Sequence, residues 1–99
     1  MLFMVIERFR NRDARAVYVR FRETGRMAPE GLTVHGSWIE PNFDRCFQLM
    51  ECDDLSLMQQ WALGWSDLAE LEIVPVSPSK DTAAIVYAML DKEAAGRAP

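Results

Sequence analysis

The stretch "LFMVI", Leu2–Ile6, is apolar at five consecutive positions and ends abruptly at Glu7 and Arg8. With Phe9 it makes a run of eight residues rich in β-formers, too short for a buried helix and well sized for a strand. Successive side chains of a strand point to opposite faces of the sheet. A strand reading LFMVI therefore needs apolar cover above and below, and the rest of the chain has to supply it.

The remaining elements follow from periodicity and punctuation. Asp13 can cap a helix whose Ala14, Val17, Tyr18 and Phe21 fall at i, i+3, i+4 and i+7, and Gly25 is its natural stop. "LTVHGSWIE" (Leu32–Glu40) reads as a second strand and "RCFQLMEC" (Arg45–Cys52) as a third, joined into a hairpin by the turn "PNFD". Asp53 or Asp54 caps a second helix that carries Met58, Trp61, Ala62 and Trp65 on one stripe, with Gly64 weakening its end. "AELEIVPV" (Ala69–Val76) is a fourth strand. Ser77-Pro78 opens a last helix with Ile85, Val86, Met89 and Leu90 on one side, and the residues from Gly96 onward read as a frayed tail.

The order β-α-β-β-α-β with an added C-terminal helix is the split βαβ, ferredoxin-like arrangement, an α+β fold with an antiparallel sheet. Residues 1–79 make that unit, and residues 80–99 the C-terminal helix and tail. Both inner helices cover one sheet face and leave the other open. The open face is apolar here, because strand one is apolar on both sides and strand three mixes Phe47 and Leu49 on one face with Cys46, Met50 and Cys52 on the other. A second copy packed sheet to sheet, as a dimeric α/β barrel, supplies the cover. The C-terminal helix, folding back or reaching across to the partner, is the alternative.

Charge narrows the partners. The formal net charge is -4, which argues against a polyanion as main partner, since phosphate neutralisation needs surplus Lys and Arg. The sign is unevenly spread, with seven arginines against three acids in residues 1–26. A solvated, internally screened helix face explains this; steering of self-association or of an anionic ligand is the sharper reading. No run approaches the roughly 18 apolar residues of a membrane span. "MLFMVI" lacks the order of charge and apolar run of a signal peptide, so cytoplasmic location is the expectation.

Few residues carry chemistry. Cys46 and Cys52 lie six apart on one strand, about 20 Å at ~3.3 Å per residue, too far for the ~7 Å Cα separation of a disulfide. Helix capping accounts for the acids of "ECDD" without a metal, and no metal or cofactor is expected. His35 is the only histidine, so acid-base chemistry by imidazole passes through it. Strand parity puts it on one face with Ser37 and Ile39, opposite Trp38 and Glu40; the hairpin register sets it beside Glu51 or beside Met50. Trp38, Trp61 and Trp65 are the largest side chains, core by default and pocket wall if a cavity opens between sheet and helices. RNA-recognition domains share the strand order, but "RCFQLMEC" has one Phe and no glycine in an acidic chain.

"SWIEPNFDRCFQLMECDD", followed by "WALGWSDL" and "EIVPV", resembles a family of small bacterial proteins known as domain of unknown function 3303. The resemblance runs from "LFMVIERF" through "EIVPV" and leaves the helix after Ser79 uncovered. It implies the dimeric α/β-barrel type of fold and no established activity, so no site residue is carried over. Three functions then fit the sequence. The first is a homodimer binding a small apolar or aromatic molecule between sheet and helices, with Trp38, Trp61 and Trp65 as walls, His35, Glu40 and Gln48 as polar contacts, and Arg45 pairing an anionic group. The second is a cofactor-free oxygenase or isomerase with His35 as general base. The third is a dimerisation module without ligand.

Overall fold

A computed structural model describes residues 1–97. The elements are β1 (Leu2–Phe9), α1 (Ala14–Thr24), β2 (Thr33–Ile39), β3 (Arg45–Glu51), α2 (Leu55–Leu63), β4 (Ala69–Val76) and α3 (Ser79–Arg97), with a 3-10 turn over Arg10–Arg12. The strands form one antiparallel sheet ordered β2-β3-β1-β4. This is the α+β, ferredoxin-like arrangement. The apolar strand β1 lies inside the sheet, between β3 and β4, which is where a strand without a polar face belongs.

The helix-side face of β1 holds Phe3, Val5, Glu7 and Phe9, all buried. Beside them β3 contributes Cys46, Gln48 and Met50, also buried. Met58 and Trp61 of α2 close the main core over Phe3, Val5 and Met50. α1 packs more loosely, with no residue fully buried. It is clamped to the α2–β4 connection by Arg20, whose guanidinium donates to both Asp67 carboxylate oxygens at 2.7 Å and to the Gly64 carbonyl at 3.0 Å. Four of the seven arginines in residues 1–26 have internal partners, Arg8 and Arg10 in looser ion pairs with Asp44 and Glu70, Arg20 on Asp67 and Arg26 on Gln48, which accounts for much of that basic stretch.

Two aspartates cap the inner helices. The Asp13 carboxylate accepts from the Ala16 N–H at 3.1 Å, and Asp54, rather than Asp53, accepts from the Ser56 N–H at 2.9 Å. Asp54→Ala is expected to lower the melting temperature by a few degrees and Asp54→Ser much less, because serine restores the cap; thermal unfolding of both variants checks this. α2 ends at Leu63, so Trp65 lies two residues past the helix, its backbone N–H donating to the Ala62 carbonyl at 3.1 Å.

The structure corrects three details of the sequence reading. First, β2 carries a bulge between Val34 and Gly36: Val34 pairs with Met50, Gly36 with Leu49, and His35 is the extra residue. Beyond it the parity reverses, so Ser37 and Ile39 face the helices while His35 shares the opposite face with Trp38. Second, the expected tail is helical through Arg97; Ala98 and Pro99 lie outside the described residues. Third, α3 does not fold back over the sheet. It buries none of its residues and carries the molecule out to 67 × 31 × 17 Å.

The face away from α1 and α2 is apolar along its centre. Leu2, Met4 and Ile6 of β1, Phe47 and Leu49 of β3 and Val74 of β4 are half-buried there, and Trp38 is 58% exposed. The Trp38 ring lies over Gly36, where an added Cβ would come within 2.5 Å of it. Glycine at that bulge position lets the indole lie flat on the strand.

Candidate functional site

The loose seat of α1 leaves a cavity of about 90 Å³ between it and the sheet. A single ordered water needs ~10–15 Å³, so the space admits a few waters or a small molecule. Glu7 and Phe9 of β1, Ser37 of β2 and Cys46 and Gln48 of β3 form its floor. Val17, Tyr18 and Phe21 of α1 form one lip, with Tyr18 and Phe21 partly exposed. Trp61, Trp65 and Arg26 complete the wall.

A chain of three polar groups runs along the cavity. Arg26 Nε donates to Gln48 Oε1 at 2.9 Å, and Gln48 Nε2 donates to Glu7 Oε1 at 2.8 Å. The first bond fixes the orientation of the amide, so its NH₂ end must face Glu7. Glu7 is only 6% exposed. Burial raises its carboxyl above the ordinary 4.5, opposed by the bonds from Gln48 and Cys46 and by the Arg26 charge. Burial likewise pushes the Cys46 thiol above 9.0, and the neighbouring Ser37 hydroxyl lies 3.4 Å from its sulfur. The backbone of Arg26 has a second task, because its carbonyl accepts the indole N–H of Trp61 at 3.1 Å and of Trp65 at 2.9 Å. Both rings are thereby fixed as walls.

The residues singled out in the sequence divide between two faces. Gln48, Trp61 and Trp65 line the cavity. His35, Trp38, Glu40 and Arg45 lie on or beside the open sheet face, across the sheet from it. There His35 Nε2 meets Glu51 Oε1 at 2.8 Å. Arg45 grips Glu40 with two bonds, Nε to Oε1 at 2.8 Å and Nη2 to Oε2 at 3.0 Å, closing the hairpin turn. That pairing holds the Glu40 carboxyl below its usual range, and Arg45 also stacks 5.2 Å from the Phe47 ring centre. Among the described residues no three His, Cys, Asp or Glu side chains assemble as a metal site.

Sequence reasoning missed Glu7, Tyr18, Arg26 and Cys46 as parts of one site. A signal for Glu7 was present: in Phe3, Val5, Glu7, Phe9 a carboxylate occupies a position that alternation assigns to the core. Arg26 gave no signal, since it reaches the cavity from a loop.

No helix among the described residues is long and apolar enough to cross a membrane. No curated protein and no solved structure matches the chain. The model of the family described as Domain of unknown function (DUF3303) matches residues 1–90, so the likeness extends past β4 into α3. Helix-side floor, hairpin and the first part of α3 all fall inside that match, and the chain belongs to this domain-of-unknown-function family.

Proposed function

We propose that the protein binds a small, largely apolar or aromatic molecule in the helix-side cavity and works as a homodimer in which a second copy covers the open sheet face. The observation that carries the ligand reading is the buried Glu7–Gln48–Arg26 chain opening into an aromatic-walled space. Structural cores seldom bury a carboxyl group beside unfilled volume, whereas binding sites combine apolar walls with a few convergent polar groups. The ring of the ligand lies among Tyr18, Phe21 and Trp61, and an oxygen of the ligand meets Glu7. A reducing cytoplasm suits the two free, buried thiols. The dimeric α/β-barrel arrangement is the form of dimer that the sequence resemblance implies.

One observation favours a second reading, proton transfer of the cofactor-free oxygenase or isomerase kind. Glu7 is a buried titratable group within the cavity, with its pKa raised above the ordinary 4.5 by burial. In that reading Glu7 takes the role first considered for His35, whose imidazole lies across the sheet, bonded to Glu51.

A thermal-shift screen against aromatic acids, quinones and phenols tests the site. One class is expected to stabilise the protein, by ~2.7 kcal/mol at about 100 times its Kd. Arg26→Gln and Glu7→Leu are expected to abolish the shift, while His35→Ala and Trp38→Ala preserve it. A shift lost on His35→Ala or Trp38→Ala but kept in the other two variants would move the site to the open face.

A further inference from the structure

We propose that α3 is an exchanged arm: in the homodimer, the C-terminal helix of each protomer packs on the open sheet face of the other. The proposal rests on the reading that a second copy covers that face, and it puts the partner's helix there in place of the direct sheet-to-sheet packing of a dimeric α/β barrel.

α3 contains eight consecutive nonpolar residues, Ala83–Leu90, in the sequence "AAIVYAML". Ile85, Val86, Tyr87, Met89 and Leu90 are each between 44% and 65% exposed. An apolar helical surface of this kind is stable only against another apolar surface. Together the five side chains present on the order of 500 Å² of apolar area, at the upper end of what soluble monomers leave bare. The family match ends at Leu90, so the apolar run lies within the family pattern and the polar end of the helix outside it.

The chain's own sheet is not the partner of its α3. β4 is an edge strand and only Ser77 and Pro78 separate it from α3. That connection is stiffened by the proline ring, by the Ser77–Thr82 hydroxyl contact at 3.0 Å and by the Pro78 carbonyl accepting from Asp81 N–H at 3.0 Å. The helix is thus aimed away from its own domain. Meanwhile the open sheet face offers a matching apolar strip of Met4, Leu49 and Phe47, with Trp38 at its margin. A two-fold axis satisfies both surfaces of both copies at once and closes the assembly at two. With two helices and two sheet faces involved, the contact buries roughly 2,000 Å², the size of a stable specific interface.

Sedimentation of the full-length protein tests the arrangement with two kinds of variant. The helix variant is Val86→Glu with Met89→Glu; the sheet variant is Leu49→Glu, with Trp38→Glu as a more exposed substitution that keeps the fold. Wild type is expected to be a dimer at micromolar concentration, and each variant to self-associate ~100-fold more weakly or worse. An equimolar mixture of helix and sheet variants is expected to recover a heterodimer, because one intact helix then meets one intact sheet. If the helix variant stays dimeric, or the mixture fails to recover, α3 is not exchanged although a second copy covers the sheet. A wild-type monomer overturns both the exchange and the homodimer reading, as does a monomer that floats with phosphatidylcholine vesicles through α3.

Discussion

Trp61→Ala is expected to lower the free energy of unfolding by about 3–5 kcal/mol, a large share of the ~5–15 kcal/mol that holds a domain together. Trp61 is among the largest fully buried side chains and is packed in the main core with Phe3, Val5 and Met50. Truncation removes the ring and leaves a void that the surrounding strands of a hydrogen-bonded sheet cannot close. It also removes one of the two indole bonds to the Arg26 carbonyl, which loosens the loop after α1. Trp61→Phe separates these terms, since it keeps most of the volume and loses the bond, and should cost much less. Urea unfolding is the measurement: the midpoint should fall with little change in slope. A loss below about 1 kcal/mol for the alanine variant would be incompatible with a ring buried in the main core.

Glu7 gives the second large effect, and its sign is the reverse of the usual carboxylate. Its folded-state pKa is raised by burial above the ordinary 4.5. Below 4.5 the carboxyl is neutral in both folded and unfolded chains, and its full contribution is present. Above 4.5 the unfolded chain releases the proton while the folded one retains it. Stability is then lost as pH rises, by at most about 1.4 kcal/mol per pH unit until the folded pKa is passed. Asp67 and Glu40, lowered chiefly by their bonds to Arg20 and Arg45, act the other way and lose their contribution toward acid pH. Cys46 ordinarily titrates near 9.0 and is raised from there, so it stays silent through neutrality. Glu7→Gln keeps an acceptor for Gln48 and removes the proton. The variant should match wild type near pH 4 and exceed it as pH rises above 4.5, the gap ceasing to widen once the folded pKa is passed, as read by chemical unfolding between pH 4 and pH 8. Parallel pH profiles for the two proteins would remove Glu7 as the source.

The fold was largely legible because the strands differ so clearly in their patterns. β1 and β4 carry the boundaries expected from their apolar runs, and both inner helices begin at aspartates that can cap them. Two parts were not legible, for different reasons. A period-of-two argument assumes one residue per step, so it could not anticipate a bulge at His35, and one extra residue carried His35 to the opposite face. The site was harder, because it is made by imperfect packing. The spacing of Ala14, Val17, Tyr18 and Phe21 defines a helix face but not how closely that face approaches the sheet. Glu40 and Arg45, conspicuous in the hairpin, satisfy each other across the turn. Glu7 and Gln48, ordinary in sequence, meet in the core from strands β1 and β3.

The three tryptophans also make the protein its own optical instrument. Trp61 and Trp65 are sealed against the cavity with their indole N–H groups bonded to one carbonyl, and their emission belongs at the blue edge, beyond the reach of iodide. Trp38 stands bare on the other side of the sheet of a single protomer, so while that face is uncovered it should emit at the red edge and be readily quenched. Occupancy of the cavity and coverage of the sheet therefore report in separate parts of one spectrum, without an added label.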